Sequence, residues 1–261
     1  DCILNQNDGS LLGWKRTIKK IISNYENRFL LKLVNWGDAD MINLYDESGK
    51  FILPDAAKKP PLGKAYLHHM QSIGCNFAIP FSSFHKYIRE DSIHMNKFIT
   101  PLDKHFEGFK SEICNLLPAN IRWDSNNGDF KEISPTESHG IILSPQDFDD
   151  NYSDELTEVD KDLLCKYFKS FDHLKRNFGT ITFSVGGKET NIKLSNHKPS
   201  ICFQVPRNSL MKAVSYEIFD DLLIGNFMKT TLYNCDRLYP NFTPYVAKYG
   251  DNGLAHSASD L

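Results

Sequence analysis

Two segments hold side chains that could do chemistry together. Ile79-Pro80-Phe81-Ser82-Ser83-Phe84-His85-Lys86-Tyr87-Ile88-Arg89-Glu90-Asp91-Ser92 passes abruptly from an apolar run into hydroxyls, a histidine, an arginine and two carboxylates. Ile3-Leu4-Asn5-Gln6-Asn7-Asp8-Gly9, near the N-terminus, has the same form. Each reads as an apolar strand whose last residues reach the rim of a polar pocket. An Asp and a His delivered by two strand ends to one place would make part of a metal site. A carboxylate can bridge two cations, and a neutral imidazole is the commonest nitrogen ligand. Asp8 and His85 are the candidate ligands.

Each has a plainer reading. Asn7-Asp8-Gly9 is also an ordinary turn, with Asp8 as an Asx-turn or a helix N-cap. His85 also fits a hydrogen-bonded structural histidine. Arg89 and Asp91 beside it require either a polar function or mutual pairing, and an ion pair between them would fasten a loop. Asp38 and Asp40 could reach the same pocket or form a solvated acidic loop. His68 and His69, about 100° apart on a helix, read as surface. Asp220 and Asp221 read as capping and packing residues.

These residues need elements to position them. Cys2 to Asn5, Phe29 to Val34 and Asn76 to Pro80 read as buried strands. Between them, Trp14 to Ile22 has apolar residues at helical spacing opposite Lys15, Arg16, Lys19 and Lys20. A second helix is expected from Pro60-Pro61 to Ser72, stopped at Gly74. This is an α/β layout, in which functional groups sit beyond strand C-termini. Phe98 to Leu117 reads as mainly helical after Pro101, and Glu155 to Leu174 as an amphipathic helix. Gly186-Gly187 between two β-branched runs signals a hairpin rather than a phosphate loop, because no helix follows directly. Asn208 to Leu232 reads as helical with a break at Gly225. Residues 1–123 are therefore expected as one α/β domain and 124–154 as a linker or surface excursion. Residues 155–261 are expected as a smaller α+β region with an antiparallel sheet.

Composition narrows the classes. The 261 residues are 41% hydrophobic and include 18 Phe and 11 Tyr, enough for real cores. A net charge of −3 argues against general nucleic-acid binding. No apolar run approaches the ~20 residues of a membrane span. The six cysteines are scattered without a CxxC pair, which suits free thiols in a cytoplasmic protein. The chain starts in what reads as a strand, with no leader pattern, and is expected to be the C-terminal part of a longer protein.

Taken together, Ile3-Leu4-Asn5, Asn7-Asp8 and Ile79-Pro80-Phe81-Ser82-Ser83-Phe84 resemble the second half of a metallo-β-lactamase-fold hydrolase. The resemblance is to the branch containing the CMP-N-acetylneuraminate hydroxylases and lactonase-like metallohydrolases. Phe219-Asp220-Asp221-Leu222-Leu223-Ile224-Gly225-Asn226-Phe227 and Leu238-Tyr239-Pro240 extend it in patches over most of the chain. It implies an αββα sandwich of which residues 1–123 are the C-terminal half. It implies that Asp8 bridges the metals and that His85 is the last histidine ligand, with Ser82 and Ser83 standing where the family has its histidine sooner after the proline. The family's His-x-His-x-Asp-His motif is not in the sequence, nor is a Rieske Cys-His framework.

The function so implied is metal-dependent hydrolysis, in which a metal-bound hydroxide attacks an ester, lactone, amide or phosphodiester of a small anionic substrate. The cofactor would be a divalent metal, zinc first, with iron or manganese as alternatives. By position, Arg89 and Asp91 would serve the anionic substrate, and Ser83 and Tyr87 would orient it; no catalytic residue is assigned. A hydroxylase-like oxygenase with an upstream iron–sulfur domain and a non-catalytic binding scaffold are the rivals. The chain alone is expected to be inactive, with an unpaired sheet edge at Ile3.

Overall fold

Phe29, Leu30 and Leu31 of one strand explain why the first sheet forms: the apolar run is long enough to be covered on both faces, as a central parallel strand requires. A computed structural model describes residues 1–7, 9, 11, 13–37, 41–82, 84–135 and 140–247. In chain order the elements begin with β1 (Cys2–Asn7), α1 (Lys15–Ile22), β2 (Arg28–Lys32), β3 (Leu44–Tyr45), α2 (Gly63–Ile73) and β4 (Phe77–Pro80). There follow α3 (Asp103–Phe106), β5 (Asn115–Leu116), β6 (Ile121–Trp123), β7 (Phe130–Glu132), α4 (Glu158–Ser170) and α5 (Asp172–Asn177). The last are β8 (Thr180–Val185), β9 (Lys188–Lys193), β10 (Ser200–Gln204), α6 (Arg207–Tyr216), α7 (Phe219–Ile224), β11 (Lys229–Tyr233) and α8 (Thr243–Val246). Helices and sheets of mixed and parallel type make this an α/β chain.

The chain divides into two compact units that interleave along the sequence. The first comprises Asp1–Gly37, Ala56–Lys86 and Phe98–Gly140; the second comprises Asp38–Asp55, Tyr87–Lys97 and Ile141–Leu261. Segments 38–55 and 87–97, early in the chain, thus group with the later residues, and 124–140 groups with the earlier ones.

The first unit is a parallel sheet of order β1-β2-β4-β5. Leu4, Leu30, Ala78 and Leu116 lie in one register row. Leu30 and Ala78 pack with Ile22 of α1 and Tyr66, Met70 and Ile73 of α2. Gly74 ends α2 in the left-handed conformation that its sequence position predicts. On the opposite sheet face Phe29 and Phe77 stack at 4.9 Å, and Trp123 of the β6–β7 hairpin meets both edge-on. That face is covered only in part. β1 is an edge strand rather than the buried strand expected, and Ile3 is 66% exposed. The helix expected over 98–117 is also not formed. A 3-10 turn (Ile93–Phe98) and the four-residue α3 replace its start, and Asn115–Leu116 pairs with β4 instead. A strand partner with free hydrogen-bonding groups outweighed a helical pattern broken by Gly108.

The second unit holds a five-stranded sheet of order β3-β11-β10-β8-β9. Gly186 and Gly187, at φ +61° and +76°, make the β8–β9 hairpin turn that two adjacent positive-φ residues allow. The sheet is mixed, not antiparallel as expected, because β10 lies parallel to β8 and β3 parallel to β11. After β9 the chain arches past the start of β8: Gly179 donates to the Pro199 carbonyl, and Leu194 and Ser195 donate to the Gly179 carbonyl. A Cβ on Gly179 would sit 1.9 Å from the His197 carbonyl oxygen, so only glycine admits this crossing. Residues 208–232 are not one helix either. Glu217 turns left-handed after α6, Asn226 does so after α7, and Lys229-Thr230-Thr231-Leu232-Tyr233 becomes β11 against β10. The helix expected over 155–174 ends at Ser170 and restarts at Asp172 as α5.

Phe219 is the hub of this unit's core. It meets Phe168 at 5.1 Å, Phe203 at 5.2 Å, Phe242 at 6.1 Å and Phe183 at 6.2 Å. Phe219→Ala is expected to cost about 3–5 kcal/mol in urea unfolding, whereas Phe130→Ala, on an exposed strand, should change stability by about 0.5 kcal/mol or less.

Candidate functional site

Parallel pairing brings three strand ends to one edge of the first unit. Asn7 pairs with Lys32 and Lys32 with Pro80, so β1, β2 and β4 all finish level. Only β2 separates the other two, which puts their ends roughly 10 Å apart. The chain that leaves β1 turns at once. Asn7 takes a positive φ of 48°. Gly9 N–H donates to the Gln6 carbonyl at 2.8 Å, and Gln6 Nε2 donates back to the Gly9 carbonyl at 2.7 Å. Lys32, a buried cation, donates from Nζ to the same carbonyl at 3.2 Å. Gln6 and Gly9 are therefore tied to each other and to Lys32; Asp8 lies outside the described residues.

Several polar atoms are also buried in or just beyond these strands. Gln6 Oε1, Asn7 Oδ1 and Trp36 Nε1 are buried and make no hydrogen bond among the described residues. Tyr66 of α2 donates its hydroxyl to the Lys32 carbonyl at 3.1 Å, and burial holds its phenol well above the ordinary value. His105 is fully buried and stands edge-on to Tyr66 at 6.0 Å and to Phe84 at 5.8 Å. Burial holds its imidazole below its ordinary value, against the opposing pull of the Leu102 carbonyl and Asp103. Phe84 leads directly into half-buried His85, which belongs to this unit. Ser83, like Asp8, Asp38 and Asp40, lies outside the described residues.

Tyr87, Arg89 and Asp91 belong instead to the second unit, because the division falls between Lys86 and Tyr87. Arg89 is buried and engaged. Nε and Nη2 grip Asp91 at 2.8 and 3.1 Å, and Nη1 donates to Asp150 at 2.7 Å. Its guanidinium lies 3.8 Å from the ring centre of Phe227 and 5.1 Å from that of Phe148. Asp150, whose side chain is fully buried, also accepts from Ser209 N at 2.9 Å and from its hydroxyl at 2.5 Å, which caps α6. Asp91 accepts from the Tyr152 hydroxyl at 2.8 Å. Tyr87 accepts from Asn226 Nδ2 at 2.5 Å, and its backbone N–H and carbonyl are held by the Asn96 side chain, each at 2.8 Å. The fork expected to receive an anionic substrate is occupied by the protein's own carboxylates. Of the two readings open in the sequence, this geometry fits the fastening ion pair.

The remaining motifs behave structurally. Asp220 and Asp221 form the first turn of α7, where carboxylates favour the helix dipole. His68 is exposed on α2. All six cysteines are free, and burial pushes the Cys75 thiol up to about 11, a poor nucleophile. A cavity of about 300 Å³ lies at Phe178, Pro199, Arg237 and the cis Tyr239–Pro240 bond of the second unit. None of the candidate residues lines it.

Sequence reading missed Lys32, His105 and Asp150. Lys32 had a signal, since it interrupts an apolar run; Asp150, in a polar stretch, had none. Among the described residues no three His, Cys, Asp or Glu side chains are grouped to hold a metal ion. No described helix is long and apolar enough to cross a membrane. Comparison with family models, curated proteins and solved structures gave no match.

Two outcomes test this geometry. Arg89→Met should cost about 3–5 kcal/mol, because it strands a buried carboxylate, and adding Asp150→Asn should recover part of that by removing the charge while keeping an acceptor for Ser209. Separately, burial lowers the His105 pKa in the fold, so as the pH falls the unfolded chain takes up this proton first, near its ordinary value of 6.5. Its contribution is full above that pH and is lost as the pH falls below it. The urea midpoint should drop between pH 7.5 and 5.5, and drop less in His105→Phe. Part of the slope should survive, because His69 and His94 are also shifted downward by burial.

Proposed function

We propose that this chain contributes to a metal-dependent hydrolase built on a metallo-β-lactamase-like αββα sandwich, with Asp8 and His85 among the ligands of a divalent metal, zinc first. The observation that carries the reading is the level ending of β1 and β4 on one sheet edge, a single strand apart. In sequence, Asp8 directly follows the first of those ends, and His85 lies five residues beyond the second. Two further observations favour it. The sheet face bearing Ile3, Phe29 and Phe77 is only partly covered, as a layer awaiting a second sheet would be. The buried Oδ1 of Asn7, beside Asp8, makes no hydrogen bond among the described residues, which suits a site that gains a partner when loaded.

A divalent cation held there would supply Lewis acidity toward an ester, lactone, amide or phosphodiester. The chain's own residues would shape the site. Gln6 and Lys32 fix the turn at Gly9, and Tyr66 locks the β2 end through the Lys32 carbonyl. Arg89 and Asp91 leave the proposed substrate site, since they are committed to Asp150 and Tyr152. The His-x-His-x-Asp-His motif is not among these 261 residues, so the reading requires metal ligands besides Asp8 and His85.

The test uses the longest natural form of the protein. Metal content by mass spectrometry should be about one or two ions per chain. Asp8→Ala and His85→Ala should each lower metal affinity by at least about tenfold, together with hydrolysis of an activated ester panel. A metal-free natural protein, or metal retained in both variants, would overturn the proposal.

A further inference from the structure

Among the described residues His105 is the one fully buried histidine, and neither Nδ1 nor Nε2 of its ring makes a hydrogen bond there. Burying a polar group without a partner is costly. The neighbours on the page do not relieve that cost. The ring meets two aromatic rings edge-on, Tyr66 at 6.0 Å and Phe84 at 5.8 Å. Tyr66 has one hydroxyl proton and gives it to the Lys32 carbonyl at 3.1 Å, so it cannot also donate to the imidazole. Thr100, five residues earlier and likewise buried, has a hydroxyl with no partner among the described residues. A ring that only filled space here would be better made of carbon. An imidazole suits the place if its nitrogens meet something that this arrangement of side chains does not supply.

The position of this ring is fixed by backbone on both sides. Leu62 N–H donates to the Lys104 carbonyl at 2.9 Å and Gly63 N–H to the Glu107 carbonyl at 3.0 Å, so the start of α2 holds α3 before and after His105. A Cβ on Gly63 would stand 2.3 Å from the Phe109 nitrogen, so only glycine admits this approach. The ring's two aromatic neighbours tie it to the strand ends. Tyr66 bonds the carbonyl of Lys32, the last residue of β2, and Phe84 stands four residues past Pro80, the last of β4. Asp8 follows β1 and His85 follows Phe84 in the sequence, and all three residues belong to the first unit.

We infer that His105 is a third ligand from this chain to the divalent metal proposed at that edge, binding through a ring nitrogen alongside Asp8 and His85. The inference rests on the metal-site reading, which requires ligands besides those two. A neutral imidazole is the commonest nitrogen ligand of zinc. A ligating histidine directs its other ring N–H to a carboxylate or a backbone carbonyl. The Leu102 carbonyl and Asp103 are the groups that already draw on the proton of this imidazole. No three described side chains group to hold a metal, and the set inferred here includes Asp8, which lies outside the described residues. A buried water would satisfy the same nitrogens, and the experiment is chosen to separate the two.

The test is zinc binding by the longest natural form of the protein, read by competition with a chromophoric chelator and by X-ray absorption at the zinc edge. His105→Phe keeps a ring in the core and removes its nitrogens. Without metal, the variant should match the parent in far-UV circular dichroism and unfold at the same urea concentration or a higher one. Its zinc affinity should fall at least about tenfold, and its absorption spectrum should lose one imidazole at about 2.0–2.1 Å. Zinc should raise the melting temperature of the parent more than that of the variant. Unchanged affinity and imidazole count in His105→Phe, with zinc still lost in Asp8→Ala and His85→Ala, would overturn the inference and leave the metal-site reading standing. So would crystals of the parent in which zinc sits on Asp8 and His85 while the His105 ring holds only water or protein, whatever the stability of the variant. A parent that binds no zinc, or zinc kept in both Asp8→Ala and His85→Ala, would overturn both.

Discussion

The constraint on which the first unit depends is parallel, level pairing of β1, β2 and β4. A parallel sheet needs crossovers, so α1 and α2 must cover one face. That requirement accounts for the burial of Ile22, Tyr66, Met70 and Ile73 against Leu30 and Ala78. The same pairing sends every strand end to one edge. Side chains that follow the strands are then gathered without any need for sequence proximity, and Asn7, Lys32 and Pro80 meet although they are 73 residues apart at the extremes.

The second unit is organised by a different device. Arg89, from early in the chain, reaches Asp150, and Asp150 caps α6 through Ser209. A charge buried on both sides is costly when unpaired, so the three segments are fixed together or not at all. Phe148 and Phe227 lie over the guanidinium, and Phe227 also packs against the core that contains Phe219. A segment that looked like a substrate pocket in the linear sequence is thus largely an internal fastening.

How much was legible follows from how local each signal was. The strands at 2–7, 28–32 and 77–80, the helix ending at Gly74 and the Gly186-Gly187 turn were all written in short patterns of apolar period and positive-φ residues. What failed was decided at long range. Lys229 to Tyr233 became a strand because β10 offered it a ladder, and Asn115–Leu116 did so because β4 did. The arch over Gly179 depends on a carbonyl 18 residues later. At the candidate site the strand ends could be read in advance; Lys32 stood out only as a break in an apolar run, and the roles of Lys32 and His105 could not be read. Their meaning depends on which turn and which ring they meet. Arg89 was singled out for its chemistry, and the chemistry proved to be directed at Asp150, a residue with no signal of its own.

The proposed metal site stands or falls at one place, the edge where β1 and β4 end. Anomalous diffraction at the zinc absorption edge, from crystals of the longest natural form grown with zinc, addresses it directly. The expected result is a peak about 2.0–2.2 Å from a carboxylate oxygen of Asp8 and from a ring nitrogen of His85. A metal bound elsewhere, or no metal and a His85 ring hydrogen-bonded only to protein, would contradict it.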